Sequence, residues 1–111
     1  MHNSDMDRKE LFYSFWNCWL DMKEEIGNAY KRRDPEAAKM MDKAIENYLA
    51  MLGSFLPIDT GSSASPIEPL NGKERLQFIH SKRAGHFAYV QLDALYTEAM
   101  KKTVSRFAMK K

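Results

Sequence analysis

"FYSFWNCWLDMKEEIGNAY", residues 12–30, decides the fold class. Its apolar residues recur at Phe12, Phe15, Trp19, Met22, Ile26 and Tyr30, in alternating steps of three and four. That is the period of a helix face, not the two-residue alternation of a strand. A second row, Tyr13, Trp16 and Leu20, runs beside the first. Together the rows sweep roughly 200° of the helix, where a stripe facing one neighbour needs about half as much. This helix therefore requires two neighbouring helices, or else it shows aromatic rings to a partner. Glu10, Ser14, Asn17, Asp21, Glu24, Glu25 and Asn28 fall on the remaining edge and read as a solvated face.

The helical pattern spans residues 6–31. Ser4 or Asp5 can cap it, and Asp7 and Glu10 suit the positive end of the helix dipole. An aromatic stripe invites a cofactor pocket, but large rings at helical spacing are more simply a core. Cys18 borders the stripe and is expected to be buried and inert, because no His shares its helix to activate the thiol.

Beyond this helix, Asp34 is a good N-cap and Pro35 belongs at the first helical position. Ala37, Met41, Ala44, Tyr48, Met51 and Phe55 form the inner face of a second helix, widened by Ile45, Leu49 and Leu52. So short a connection makes the two helices antiparallel. Met40, Met41 and Met51 suit either an adaptable surface or, more simply, core gaps. "LPIDTGSSASPIEPLNG", residues 56–72, then breaks all periodicity with three Pro, two Gly and three Ser. It reads as an irregular linker at about 56–71, pinned by Leu56, Ile58, Ile67 and Leu70. "DTGSS" is not a phosphate loop, since no Lys-Ser/Thr follows and no strand precedes. A single "DTG" in a helical chain of this length is a chance match to an aspartic protease motif.

"NGKERLQFIHSKRAGHFAYVQL", residues 71–92, carries the densest mixture of charge, histidine and aromatic groups. Asn71 and Glu74 have the spacing of a capping box. A short helix follows over "KERLQFIHSK", with Leu76 and Ile79 inward and Gly85 as its C-terminal cap. The last helix runs from His86 to Met109 on a face of Ala88, Leu92, Leu95, Tyr96, Ala99, Thr103 and Phe107. Gln91, Glu98, Lys101, Lys102 and Ser105 lie opposite, with Glu98 and Lys102 spaced as a favourable pair. Phe87 and Val90 lie off the main stripe, so the short helix is expected to fold over them.

The fold class predicted is all-α: one domain over residues 1–111, a small bundle of three long helices and one short one. The composition, 44% hydrophobic and 12% aromatic, is that of a globular chain. The "MHNSDMDRKE" start is polar and acidic, unlike a signal peptide. No apolar run approaches the roughly 18 residues of a membrane span. One Cys excludes an internal disulfide and fits a reducing, cytoplasmic setting.

No chemistry-bearing motif emerges. The residues three before His80 and His86 are Gln77 and Arg83, so the Glu-x-x-His pairs of carboxylate metal sites are missing. Neither a zinc-ligand spacing nor a catalytic constellation is present, and no cofactor, metal or catalytic residue is assigned. Residues 1–70 hold 8 Lys/Arg and 12 Asp/Glu, a net −4; residues 71–111 hold 9 and 3, a net +6. That asymmetry serves an acidic partner, nucleic acid, or attraction between the two parts of the chain.

Asn71-x-x-Glu74-Arg75-Leu76-x-Phe78-Ile79, His86-Phe87, Gln91-Leu92, Leu95-Tyr96, Glu98 and Lys101-Lys102 together resemble the YpoC-like family of Bacillus-type bacteria. The resemblance covers about 30 residues. Where the family pattern has a Pro shortly before the His, this chain has Arg83-Ala84-Gly85, a difference that bears on the corner between the last two helices. The resemblance implies a small cytoplasmic bacterial protein and supplies no activity, cofactor or site residue.

The functional expectation is a non-enzymatic interaction module that docks a protein partner or itself. Lys82, Arg83, His86, Lys101 and Lys102 are its candidate partner-binding residues, with Lys82, Arg83 and His86 expected to ring the corner as an exposed positive edge. The alternative is a nucleic-acid-associated protein using the basic C-terminal third. A recognition helix would offer Arg, Lys, Asn or Gln in its first turns, and here only Gln91 qualifies.

Overall fold

The computed structural model describes residues 4–54 and 67–109, with side chains over 9–54 and 67–106. Four helices and no strand occupy the described residues: α1 (Ser4–Lys31), α2 (Glu36–Gly53), α3 (Gly72–Ser81) and α4 (His86–Met109). The all-α bundle with three long helices and one short one is thus the observed fold.

α1 finds the two neighbours its wide arc requires. It packs against α2 on one side and α4 on the other, while α3 packs chiefly against α4. Phe12, Trp19 and Ile26 of its first row are buried. Tyr13, Phe15, Trp16 and Met22 are partly buried against that core. The aromatic arc is consumed inside the molecule, except that Leu20 stays 43% exposed. α2 contributes Ala37, Met41, Ala44, Ile45, Tyr48, Met51 and Leu52, and α4 contributes Ala88, Leu92, Leu95, Tyr96, Ala99 and Thr103. Leu49, expected to widen the α2 face, is half exposed. Phe55, Leu56, Ile58 and the Phe107 side chain lie outside what is described.

Trp19 and Tyr96 stack at the centre, with ring centroids 4.3 Å apart and planes 4° from parallel. Tyr48 meets Tyr96 edge-on at 5.2 Å. The polar tips of Trp19 and Tyr96 are both hydrogen-bonded. Trp19 Nε1 donates to Asp93 Oδ1 at 3.1 Å. Tyr96 Oη donates to the Ala44 carbonyl at 2.6 Å and accepts from Asn47 Nδ2 at 3.0 Å. The same Asn47 nitrogen donates to the Phe15 carbonyl at 2.9 Å. One cluster therefore ties α1, α2 and α4. Contacts fix the directions too: Tyr30 meets His86 while Trp19 meets Tyr96, so α1 and α4 are antiparallel.

The helix ends differ from expectation where local chemistry offered a second solution. Asp34 behaves as foreseen, accepting the Glu36 N–H at 2.9 Å. That bond holds its carboxyl below the ordinary value. α1 ends through Arg33 in the left-handed region, φ 58°, with the Asp34 N–H reaching back to the Ala29 carbonyl at 2.9 Å. Asn71 does not form a capping box. It adopts φ 56°, a conformation Asn tolerates, and its side chain caps nothing. Gly85 does not cap α3, which ends at Lys82 with φ −114°. Gly85 instead offers its carbonyl to the Ala88 N–H at the entry to α4. In the linker Ile67 is fully buried as a pin, whereas Leu70 is 77% exposed.

Candidate functional site

The corner between α3 and α4 is clamped onto the far end of the bundle. Gly27 lets the Tyr89 ring lie against α1, since a Cβ at that position would sit 3.2 Å from Tyr89 Oη. Tyr89 and His86 flank Tyr30, whose hydroxyl donates to the Arg83 carbonyl. Burial pushes the Tyr30 hydroxyl up to about 12, so it remains a donor at any physiological pH. The Arg83 guanidinium turns to α2, with Nε 2.9 Å from Asp42 Oδ1. Those two atoms are at ion-pair distance but poorly aligned, so neither gains a hydrogen bond from the contact.

A second clamp holds α3 along α4. Arg75 donates through both terminal nitrogens to Glu98, at 2.9 and 2.6 Å. It also donates to the Leu70 carbonyl at 3.2 Å. The Arg75 hydrogen bonds hold the Glu98 carboxyl below its ordinary value. Glu98 thus serves the neighbouring helix; the expected pairing with Lys102 on its own helix is reduced to weaker attraction from Lys101 and Lys102.

Between these clamps the surface is apolar. Phe78 and Phe87 meet edge to face with centroids 5.8 Å apart. Yet Phe78 is 44%, Phe87 56% and Val90 45% exposed. α3 therefore touches Phe87 but does not cover it, and the expected burial of Phe87 and Val90 is overturned. The reason is angular: Arg75 and Glu98 seat α3 beside the outward face of α4, not over it. A shallow depression lined by Asn71, Glu74, Arg75, Phe78 and Gln91 continues the surface along α3.

The five candidate residues fall in two places, three at the corner and two along α4. Lys82 is exposed at the corner, Arg83 is engaged with Asp42, and His86 lies exposed against Tyr30 and Tyr89. Lys101 and Lys102 are exposed roughly 22 Å further along α4 at helical rise. Sequence reasoning missed Arg75, Glu98, Asp93 and Asn47 as a set. Their only signal was polar residues bordering the apolar stripes.

Cys18 is exposed, contrary to the expectation of burial. It lies at the edge of the α1 arc that neither α2 nor α4 covers. It is also twelve residues from Tyr30, the ring His86 touches, or about 18 Å along the helix. The two are not a nucleophile–base pair. Among the described residues no three His, Cys, Asp or Glu side chains are grouped to hold a metal. No described helix is long and apolar enough to cross a membrane.

Fold and surface together define a small all-α bundle whose most distinctive exposed feature is an aromatic patch between two clamped helices. The YpoC-like protein family model matches residues 9–111, and the chain belongs to that family. The match reaches well beyond residues 71–102, which carried the resemblance, into α1 and α2. No curated protein and no solved structure matches the chain.

Proposed function

We propose that this protein is a non-enzymatic helical interaction module of the bacterial cytoplasm, docking a protein partner or itself through the α3–α4 surface. The observation that carries the reading is the half-exposed Phe78–Phe87 pair with Val90 beside it. Large apolar groups kept together at a surface mark an interaction site more often than scattered ones do. The exposed charges of these elements favour an acidic patch on the partner: Lys73 and Lys82 on and beside α3, and Lys101 and Lys102 further along α4, stand against one exposed acid, Glu74. An exposed thiol that has no partner cysteine in the chain fits a reducing compartment.

Capture from a bacterial lysate tests the reading. The double variant Phe78→Ser/Phe87→Ser should keep the helical spectrum and lose proteins that the wild type retains. An unchanged set of retained proteins would contradict it. Nucleic-acid binding has weaker support, because Arg75 and Arg83, two of the three arginines in residues 71–111, are engaged within the molecule. Steeply salt-dependent binding to a random duplex would revive it.

A further inference from the structure

The outward face of α4 carries a second seam, separate from the one that builds the core. Phe87, Val90, Ala94, Thr97, Lys101 and Val104 follow one another at steps of three, four, three, four and three. This is the a/d spacing of a coiled coil sustained over 18 residues. Phe87, Val90 and Val104 are 56%, 45% and 48% exposed, Lys101 is exposed, and the small Ala94 and Thr97 are half-buried between them. The buried residues Ala88, Leu92, Leu95, Ala99 and Thr103 occupy the other side of the helix.

We propose that this seam pairs with the same seam of a second copy, α4 against α4, antiparallel about a two-fold axis. The proposal rests on the interaction-module reading and names its partner. The spacing is its own mirror image about the point between residues 95 and 96. A two-fold interface requires such self-matching of one patch. In that register Ala94 meets Thr97 of the second copy, so the smallest side chains lie at the axis and the backbones approach closely. Phe87 meets Val104, and Lys101 of the second copy arrives beside Val90 and Gln91.

Charge supports that register. Gln91 and Glu74 line the same depression on α3–α4. Glu74 is exposed and makes no ion pair among the described residues. It is the acidic group that an incoming Lys101 would find, and the two-fold axis makes the contact twice. A charged residue placed in such a seam also helps to fix register. The area is adequate for a weak pair. A seam of 18 residues runs about 27 Å along a helix about 10–12 Å across. With Phe78 widening it, two copies would bury on the order of 600–800 Å², in the range of weak and transient pairs.

Sedimentation velocity on the full chain, from low to high micromolar concentration, tests the pair. The wild type should pass from monomer to dimer. Ala94→Glu, which puts two carboxylates at the axis, should stay monomeric with an unchanged helical spectrum. Glu74→Lys and Lys101→Glu lie at exposed positions and should each weaken dimerisation by about tenfold, while the double variant restores it, as a charge swap requires. A dimer indifferent to Ala94→Glu and to both charge reversals would overturn the proposal. So would a wild type that stays monomeric at about 500 µM, well above the range of specific pairs of this size. If that monomer still captures a protein that Phe78→Ser/Phe87→Ser loses, the two-fold pair falls and the interaction module stands.

Discussion

Two buried tyrosines with opposite needs show how the core is specified. Tyr96 spends its hydroxyl on the Ala44 carbonyl and on Asn47. Tyr48 is equally buried, but its hydroxyl has no hydrogen-bond partner among the described residues. Burial pushes both phenols up, so both stay protonated. Removing a paired buried hydroxyl costs about 1–2 kcal/mol, whereas removing an unpaired one relieves desolvation. Urea denaturation should therefore find Tyr96→Phe destabilised by that amount and Tyr48→Phe neutral or slightly stabilised. Equal losses for both would mean that Tyr48 has a partner after all. At Arg33 a long side chain holds a left-handed conformation, which costs most residues about 1 kcal/mol. Arg33→Gly should raise stability by up to that amount in the same assay. The Trp19 and Tyr96 positions were legible from periodicity alone, because the core-facing row must be buried. Cys18 was not. It sits at the margin of the arc, and its exposure depends on where α2 and α4 cross α1, which no local pattern states. It should react rapidly and stoichiometrically with a thiol reagent in native buffer.

Each helix owes its existence to a face, but α3 owes its position to a pair of charges. Ten residues are too few for a stable isolated helix. Ile79 is its one fully buried large side chain, Leu76 packs partly buried against the same core, and Arg75–Glu98 clamps the outer side. The pair is 28% and 42% exposed, so a double-mutant cycle should return a coupling of about 0.5–1 kcal/mol, the upper range for a surface bridge. The pH dependence has a definite sign. The Glu98 carboxyl is lowered from 4.5, so its contribution is complete above that value and is lost as pH falls through the lower folded value. Amide protection in α3, corrected for the intrinsic pH dependence of exchange, should fall in acid more than protection in α2, and Arg75→Ala should remove the difference. If α3 and α2 respond alike, the clamp is not what seats α3. Helix existence and most inner faces were readable from spacing. The seating of α3 was not, because Arg75 and Glu98 are 23 residues apart and meet only after the corner forms. The corner followed the same rule: Tyr30, Asp42 and the Arg83–His86 stretch come from three segments of chain.

At the scale of the whole molecule, the fold separates stability from surface. α1, α2 and α4 enclose the Trp19–Tyr96 core along a body of 49 × 25 × 19 Å. α3 completes one flank and leaves Phe78, Phe87 and Val90 facing outward. The sequence showed that Phe87 and Val90 lay off the main stripe, and treated this as a packing problem for α3 to solve. The structure leaves them open, and the acidic-to-basic asymmetry is only partly spent on internal pairs such as Arg83–Asp42. If the patch serves an interaction and not the core, its removal must be nearly free to the isolated monomer. The decisive measurement is the unfolding free energy of Phe78→Ser/Phe87→Ser against wild type, by urea denaturation at low micromolar concentration, where association does not add apparent stability. A loss of about 1 kcal/mol or less is expected, as for exposed substitutions. A loss of about 3 kcal/mol or more, the cost of truncating a buried ring, would place both phenylalanines in the core and remove the surface on which the functional reading stands.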